Sequence, residues 1–267
     1  MGDSKKRVAV VTGGSSGIGR ALCRKLKRNG YRVYCFSRRN PELKGILHCP
    51  VDVTDEEAVN KKVETIIEYQ GHIDLLVNCA GYGISGAAEF TDHDMAARQM
   101  DVNLMGTANV CKAVIPYMRR RKKGKIINIS SVAAIMPVPF QAWYSTSKAA
   151  INAYSCSLAN ELRPYHIQVC AVMLGDSNTG FTSARQKITQ GDDIYKGRIA
   201  RSVAQMERDE GNGYSSAEVA DYLMTLVEKK RLNPLYTMGV PYQLVWLLDH
   251  LLPSGMKNLL LYIVYGR

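Results

Sequence analysis

The chain has 267 residues, 46% of them hydrophobic and 22% charged, a balance that excludes collagen-like, largely disordered and polytopic membrane proteins. That length can bury a sizeable core without disulfide or metal staples. Lysine and arginine exceed aspartate and glutamate by 35 − 24 = 11; the excess gathers at 5–7 and 119–125 with no zinc-finger or aromatic RNA-binding signature, so it reads as solvated faces and excludes nucleic acid as the expected partner.

Seven irregularly spaced cysteines, mostly flanked by apolar residues, read as reduced, buried fillers of an intracellular protein. The five histidines form no HExxH and none accompanies a CxxC, so no metal site is expected. The opening MGDSKKR lacks the apolar core of a signal peptide, and Lys6 breaks the myristoylation pattern. A cytoplasmic location is therefore expected, with membrane association through the tail as an added expectation.

Along the chain, short runs rich in β-branched residues alternate with helix-period stretches. Strands are expected at 7–12, 31–37, 46–49, 73–78, 125–130 and 168–174, each apolar enough to be covered on both faces. Helices are expected at 18–28, at 54–69 behind a Thr-Asp-Glu-Glu capping signal, and from WYSTSK (143–148) to 163. Strand, helix, strand in repetition requires right-handed crossovers and a doubly wound, Rossmann-type parallel α/β sheet in three layers. One domain over 1–267 is expected, with its core at 7–240. Residues 178–213 are long, polar and glycine-punctuated, which suits a mobile lid. The tail, 241–267, carries YQLVWLLDHLL and NLLLYIVY, each too short to span a bilayer, and reads as helices on the body, an oligomer contact or a membrane surface.

The first expected strand runs into Thr12-Gly13-Gly14-Ser15-Ser16-Gly17-Ile18-Gly19 and then a helix. Glycines 13, 17 and 19 let the backbone turn tightly and approach a pyrophosphate at a helix N-terminus, so Gly13, Ser15, Ser16, Gly17, Ile18 and Gly19 are candidate nucleotide ligands. An NAD site places an acid at the end of the second strand; this chain has Arg38 and Arg39 there, which suit the 2′-phosphate of NADP(H). Tyr144 and Lys148 lie four apart on one helix face, where an ammonium favours the phenolate. Ser131 ends the IINIS strand at the carboxyl edge of the sheet, Asn78-Cys79-Ala80-Gly81 ends another strand there, and Asn103 lies in the following helical stretch.

In joint order and spacing, Thr12–Gly19, Asp52-Val53, Asn78–Gly81, Asn103, Ser131, Tyr144 and Lys148 resemble the short-chain dehydrogenase/reductase family over roughly 7–240. The resemblance implies hydride transfer between NADP(H) and a carbonyl/alcohol pair, with Tyr144 as acid/base and Ser131 on the substrate oxygen. It further implies that Lys148 binds the nicotinamide ribose and lowers the tyrosine pKa, and that Asn103 supports a proton-relay water. Asp52 and Val53 would flank the adenine and Arg38 would meet the 2′-phosphate, while Asn78, Ala80, Gly81, Gly175 and Thr179 complete the implied cofactor site. A homodimer or homotetramer is the implied assembly. The family's Pro-Gly after the sixth strand is here Leu174-Gly175, which loosens that turn.

Residues 133–140 are wholly apolar and contain two prolines, so they read as a greasy pocket wall with Phe140 as a substrate contact. Together with the tail, this resembles family members acting on steroids and other lipophilic alcohols, and a hydroxysteroid is the expected substrate. The alternatives are a reductase of acyl-linked ketones such as acyl-dihydroxyacetone phosphate or a fatty-acyl intermediate, with Lys187, Lys196, Arg198 and Arg201 as a basic mouth, and a non-catalytic cofactor-binding regulator.

Overall fold

Val8–Thr12 (β1) is buried along its whole length because both of its faces are covered. Val8 and Val10 point into one apolar cluster, Ala9 and Val11 into another. This two-sided burial recurs across a seven-stranded parallel sheet, identified in a computed structural model that describes residues 6–267. The start of the chain, from which no leader was expected and which holds Lys5, lies outside the described residues.

The strands are β1, β2 (Arg32–Ser37), β3 (Leu47–Pro50), β4 (Leu75–Asn78), β5 (Gly124–Ser131), β6 (Ile167–Leu174) and β7 (Leu235–Thr237). They lie in the spatial order β7-β6-β5-β4-β1-β2-β3, all parallel. The order reverses between β1 and β4, which opens a crevice at the carboxyl edge, where such sheets take ligands. Helices α1 (Gly17–Arg28) and α7 (Ser216–Glu228) cover one face, burying Leu22, Leu26, Val219 and Leu223. Helices α2 (Glu56–Gln70), α4 (Gly106–Arg121) and α5 (Ala142–Glu161) cover the other through Val63, Val114 and Leu158.

Six strands stand where apolar runs predict them. The seventh, Leu235–Thr237, is three residues at a sheet edge behind Pro234, too short to show a period. Helix α2 starts two residues later than the capping signal suggests. Asp55 accepts the Ala58 N–H and is the cap, while the Thr54 hydroxyl donates to Asp52.

The segment 178–213 departs furthest from expectation. Within this segment, expected as a mobile lid, lies a 14-residue helix, α6 (Arg198–Gly211), whose Ile199, Val203 and Met206 are buried at helical spacing. Asp192 accepts from the backbone N–H groups of Ile199 and Ala200 at its start. Asn178 Nδ2 donates to Gly211 O at its end, and Glu210 receives Arg185 and the Thr182 hydroxyl. The glycines in this stretch end and start turns, and the amphipathic run between them sets the structure.

Polar groups inside the sheet are bracketed in a chain. Asn78 Nδ2 donates to Asn128 Oδ1 at 2.9 Å, and Asn128 Nδ2 donates to Ser155 Oγ at 2.9 Å, which fastens α5 to β4 and β5. Asn128→Ala should destabilise the protein by about 3 kcal/mol, since it strands two buried partners. Adding Asn78→Ala should then cost little more, read by urea unfolding of the single and double variants. Fully additive losses would show that the bracket does not act as a unit.

Candidate active site

The glycine turn connects β1 to α1 against the end of β4. Gly13 has φ +66°, and a Cβ there would stand 2.8 Å from the Ala80 nitrogen, so no side chain fits. The Thr12 hydroxyl accepts from the Cys79 and Ala80 N–H groups at 3.0 Å and holds the two strand ends together. Helix α1 begins with neither a side-chain cap nor an acidic residue in its first turn, leaving its positive end to an anion.

A cavity of about 400 Å³ opens over this turn, lined by Gly13, Ser15, Ser16, Gly17, Ile18 and Gly19, and by Arg38, Arg39, Asp52, Val53, Ala80, Gly81 and Thr179. Arg38 and Arg39 are exposed at the end of β2. Partial burial pushes Asp52 up, but the Thr54 N–H and hydroxyl and the Arg98 guanidinium at 3.0 Å outweigh it and hold the carboxyl below its usual range. A tight turn, an uncapped helix start and exposed guanidiniums fit a phosphorylated dinucleotide. Arg98, which sequence reasoning missed, lines the same cavity; it sits on α3 (His93–Met100), five residues before Asn103 and outside any motif pattern.

A second cavity, about 350 Å³, adjoins the first and shares Ile18, Cys79, Gly81, Thr179 and Phe181 with it. Ser131, at the end of β5, and Tyr144 and Lys148, on α5, line it together with Gly175. Ser131 Oγ accepts the Ala133 N–H at 3.1 Å, which leaves its own proton to donate. Lys148 Nζ donates to Ile129 O at 2.9 Å and stands 5.7 Å from the Tyr144 ring centroid.

The electrostatics differ from the sequence expectation. Burial pushes the Tyr144 phenol up to about 12, against a downward pull from Ser131, and burial brings the Lys148 ammonium down to about 8. The ammonium serves a backbone carbonyl, so the loss of solvent decides both values.

Asn103 is fully buried in a π-helical turn, Asp101–Met105, between α3 and α4. Its amide exchanges hydrogen bonds with the Tyr82 backbone, each 3.0 Å, and donates to Ser147 Oγ. Asn103 thus positions the Gly81–Tyr82 turn and α5 and lines neither cavity. Asn78 is corrected too: its side chain is bonded within the sheet to Asn128 and does not reach the nucleotide cavity.

Phe140 is likewise corrected. It has φ +61° and turns away from the cavity to pack edge-on against Tyr195, beside Ala87, Ile199 and Val203. Its neighbours Ala133, Met136 and Val138 do line the cavity, as the apolar stretch predicts. The proposed basic mouth does not form. Lys187 pairs with Glu207, Arg198 donates to Gly266 O, and none of Lys187, Lys196, Arg198 and Arg201 lines the catalytic cavity.

Other wall residues come from segments the motifs did not flag. Tyr242 and Val245 of α8 (Val240–Leu251), Leu261 of α9 (Ser254–Leu261) and Tyr265 roof the cavity. The Tyr242 hydroxyl donates to Asp176 Oδ2 at 2.7 Å and accepts the Asp176 N–H at 2.9 Å. Its ring lies where a Cβ on Gly175 would be, 2.0 Å from Cζ, so only glycine admits it. No signal in the sequence joins positions 175 and 242.

A family model described as short chain dehydrogenase matches residues 7–189. The chain is 38% identical over 260 residues to the 3-ketodihydrosphingosine reductase of Bacteroides thetaiotaomicron, covering 94% of this chain and 97% of that one. Among solved structures, a short-chain dehydrogenase from Streptomyces avermitilis superposes with a TM-score of 0.84 at 26% identity over 98% and 97% of the two chains. ElxO, solved with NADP bound, shares the fold at a TM-score of 0.74 and 24% identity, over 89% of this chain and 99% of that one.

The depressed Lys148 value has a stability consequence. Between about 8 and the ordinary lysine value the unfolded chain holds the proton and the folded chain does not, so stability rises with pH across that window. Lys148→Met removes this penalty, on the order of 3 kcal/mol when fully present. The variant's advantage over the ligand-free parent should be largest below pH 8 and shrink toward pH 10.5. Denaturant midpoints across that range read it, and a constant gap would show that Lys148 titrates normally.

Proposed function

Because the chain belongs to the short-chain dehydrogenase family, we propose that this oxidoreductase uses NADPH to reduce the ketone of a long-chain, acyl-derived lipid to a secondary alcohol. The observation that carries this reading is the adjoining pair of cavities: Ser131 and Tyr144 face a largely apolar space that shares a wall with the glycine-turn cavity. The full-length likeness to a 3-ketodihydrosphingosine reductase supports the acyl-derived ketone.

When bound, the cofactor supplies hydride to the carbonyl carbon. Ser131 directs its free O–H toward the carbonyl oxygen and polarises it. A phenol held near 12 is protonated at neutral pH, so Tyr144 is poised to give the proton that the nascent alcohol oxygen needs. Lys148, beside Tyr144 and against Gly81, is placed to bind the ribose hydroxyls. Arg38 and Arg39, at a strand end that carries no acid, support a 2′-phosphate, and ElxO carries NADP on the same fold. Met136, Val138, Leu174, Val245 and Leu261 offer an alkyl chain an apolar bed. No arginine lines the catalytic cavity, which argues against a phosphorylated acyl ketone, and a hydroxysteroid has only this apolarity in its favour. Tyr144 and Lys148 standing together in the cavity argue against a non-catalytic regulator.

NADPH should be preferred over NADH by about tenfold or more in kcat/KM, roughly 1.4 kcal/mol, and Arg38→Asp should erase the preference. Equal constants for the parent would sink the NADP reading. Tyr144→Phe should lose about 10²–10⁴-fold in turnover while still binding NADPH. Across substrates, a long-chain 3-keto base should exceed any 3-ketosteroid in kcat/KM, and the reverse order would restore the steroid reading.

A further inference from the structure

Both tail helices are apolar on two opposite sides. In α8, Tyr242 and Val245 face the cavity, while Val240, Leu244, Leu247, Leu248 and Leu251 recur at i, i+4, i+7, i+8 and i+11 on the other side. Those five are 37–77% exposed. The next helix repeats the arrangement: Leu261 and Tyr265 face inward, and Met256, Leu259, Leu260 and Ile263 form an outward stripe, 42–57% exposed. A helix on a protein surface normally turns polar residues to water on that side. Two such outward apolar stripes on successive helices mark a docking surface.

Charge beside the strip selects its partner. Arg201, Arg208 and Arg267 line a cavity of about 260 Å³ together with Val264 and Tyr265, and no Asp or Glu lines it. Guanidinium groups next to an exposed apolar helix face match a layer in which phosphates flank acyl chains. A second copy of the chain fits less well, since symmetric pairing there would bring two arginine clusters together in a protein of formal charge +11. Among the described residues no helix is long and apolar enough to cross a membrane, so the helices would lie in the interface.

We propose that the outer face of the two tail helices docks on an anionic phospholipid bilayer, with the arginine cluster on lipid phosphates. The same helices roof the catalytic cavity, so docking places the cavity mouth at the acyl layer and a lipophilic ketone passes between bilayer and site without crossing water. The proposal names a partner for the site and is decided by vesicle binding, so it fails separately from the substrate reading.

The test is flotation of the full chain with vesicles of phosphatidylcholine and phosphatidylglycerol (3:1), against vesicles of phosphatidylcholine alone. The parent should float with the mixed vesicles and much less with the neutral ones. Leu247→Glu with Leu251→Glu, which touch neither cavity, should stay at the bottom and keep parental turnover on a short water-soluble ketone. Arg201→Gln and Arg208→Gln should each weaken binding to the mixed vesicles by about fivefold. Failure of the parent to float, or equal binding to both vesicles, would overturn the proposal without reliance on any variant. So would flotation of the double glutamate variant at parental level, or of the arginine variants undiminished. Sedimentation of the lipid-free parent as a dimer that the glutamates dissociate, with no flotation, would assign the face to a second copy instead.

Discussion

Burial of the parallel sheet on both faces is the constraint on which the rest depends. The central strands are therefore largely apolar, and most return connections are covering helices. Polar chemistry gathers at the carboxyl edge, where Thr12 ends β1 level with Asn78 at the end of β4, and Ser131 ends β5 level with Leu174 at the end of β6, three residues beyond the Asn78–Asn128 pair. The Thr12 hydroxyl across to Cys79 and Ala80 and the Asn78–Asn128–Ser155 chain turn that edge into a rigid platform.

The same loss of solvent sets the chemistry. It moves Tyr144 and Lys148 in opposite directions, each toward its neutral form, because burial outweighs the charges around them. In the proposed reduction, a protonated phenol and the neighbouring serine hydroxyl would both donate to one oxygen. Asn103 contributes from beneath by tying the Tyr82 backbone to Ser147, one residue before Lys148. The π-helical turn there points that amide inward, a use such turns often have at functional sites.

Enclosure comes from elements late in the chain. Helix α6 supplies Met206 and Glu210, and the tail supplies Tyr242, Val245, Leu261 and Tyr265. Glu210 holds Arg185 and Thr182, and Tyr242 locks Asp176 over Gly175. The wall that shapes the substrate is thus built from segments outside the nucleotide-binding core, which lets one core serve many substrates. In this chain the tail also exposes a second apolar face, so the wall and the outer surface are one structure.

Local pattern was enough to read the six long strands, the glycine turn, the paired arginines and the Ser131, Tyr144 and Lys148 set. Each depends on short-range rules: apolar runs for two-sided strands, glycine for positive φ, four-residue spacing for a shared helix face. What lay beyond reach depends on contacts between distant residues. Asn78 appeared to belong to the cofactor because it ends a strand at the ligand edge, yet Asn128 and not the cavity takes its amide. Phe140 looked like pocket wall by its neighbours, but a positive φ swings it onto Tyr195. Lys148 should lower the phenol by its spacing, yet its ammonium donates to Ile129 O and burial sets the Tyr144 value. Sequence fixes which side chains are available and which face of an element they share; only the packed chain decides which partner reaches them first and how much water remains, and those two decide side-chain role and pKa.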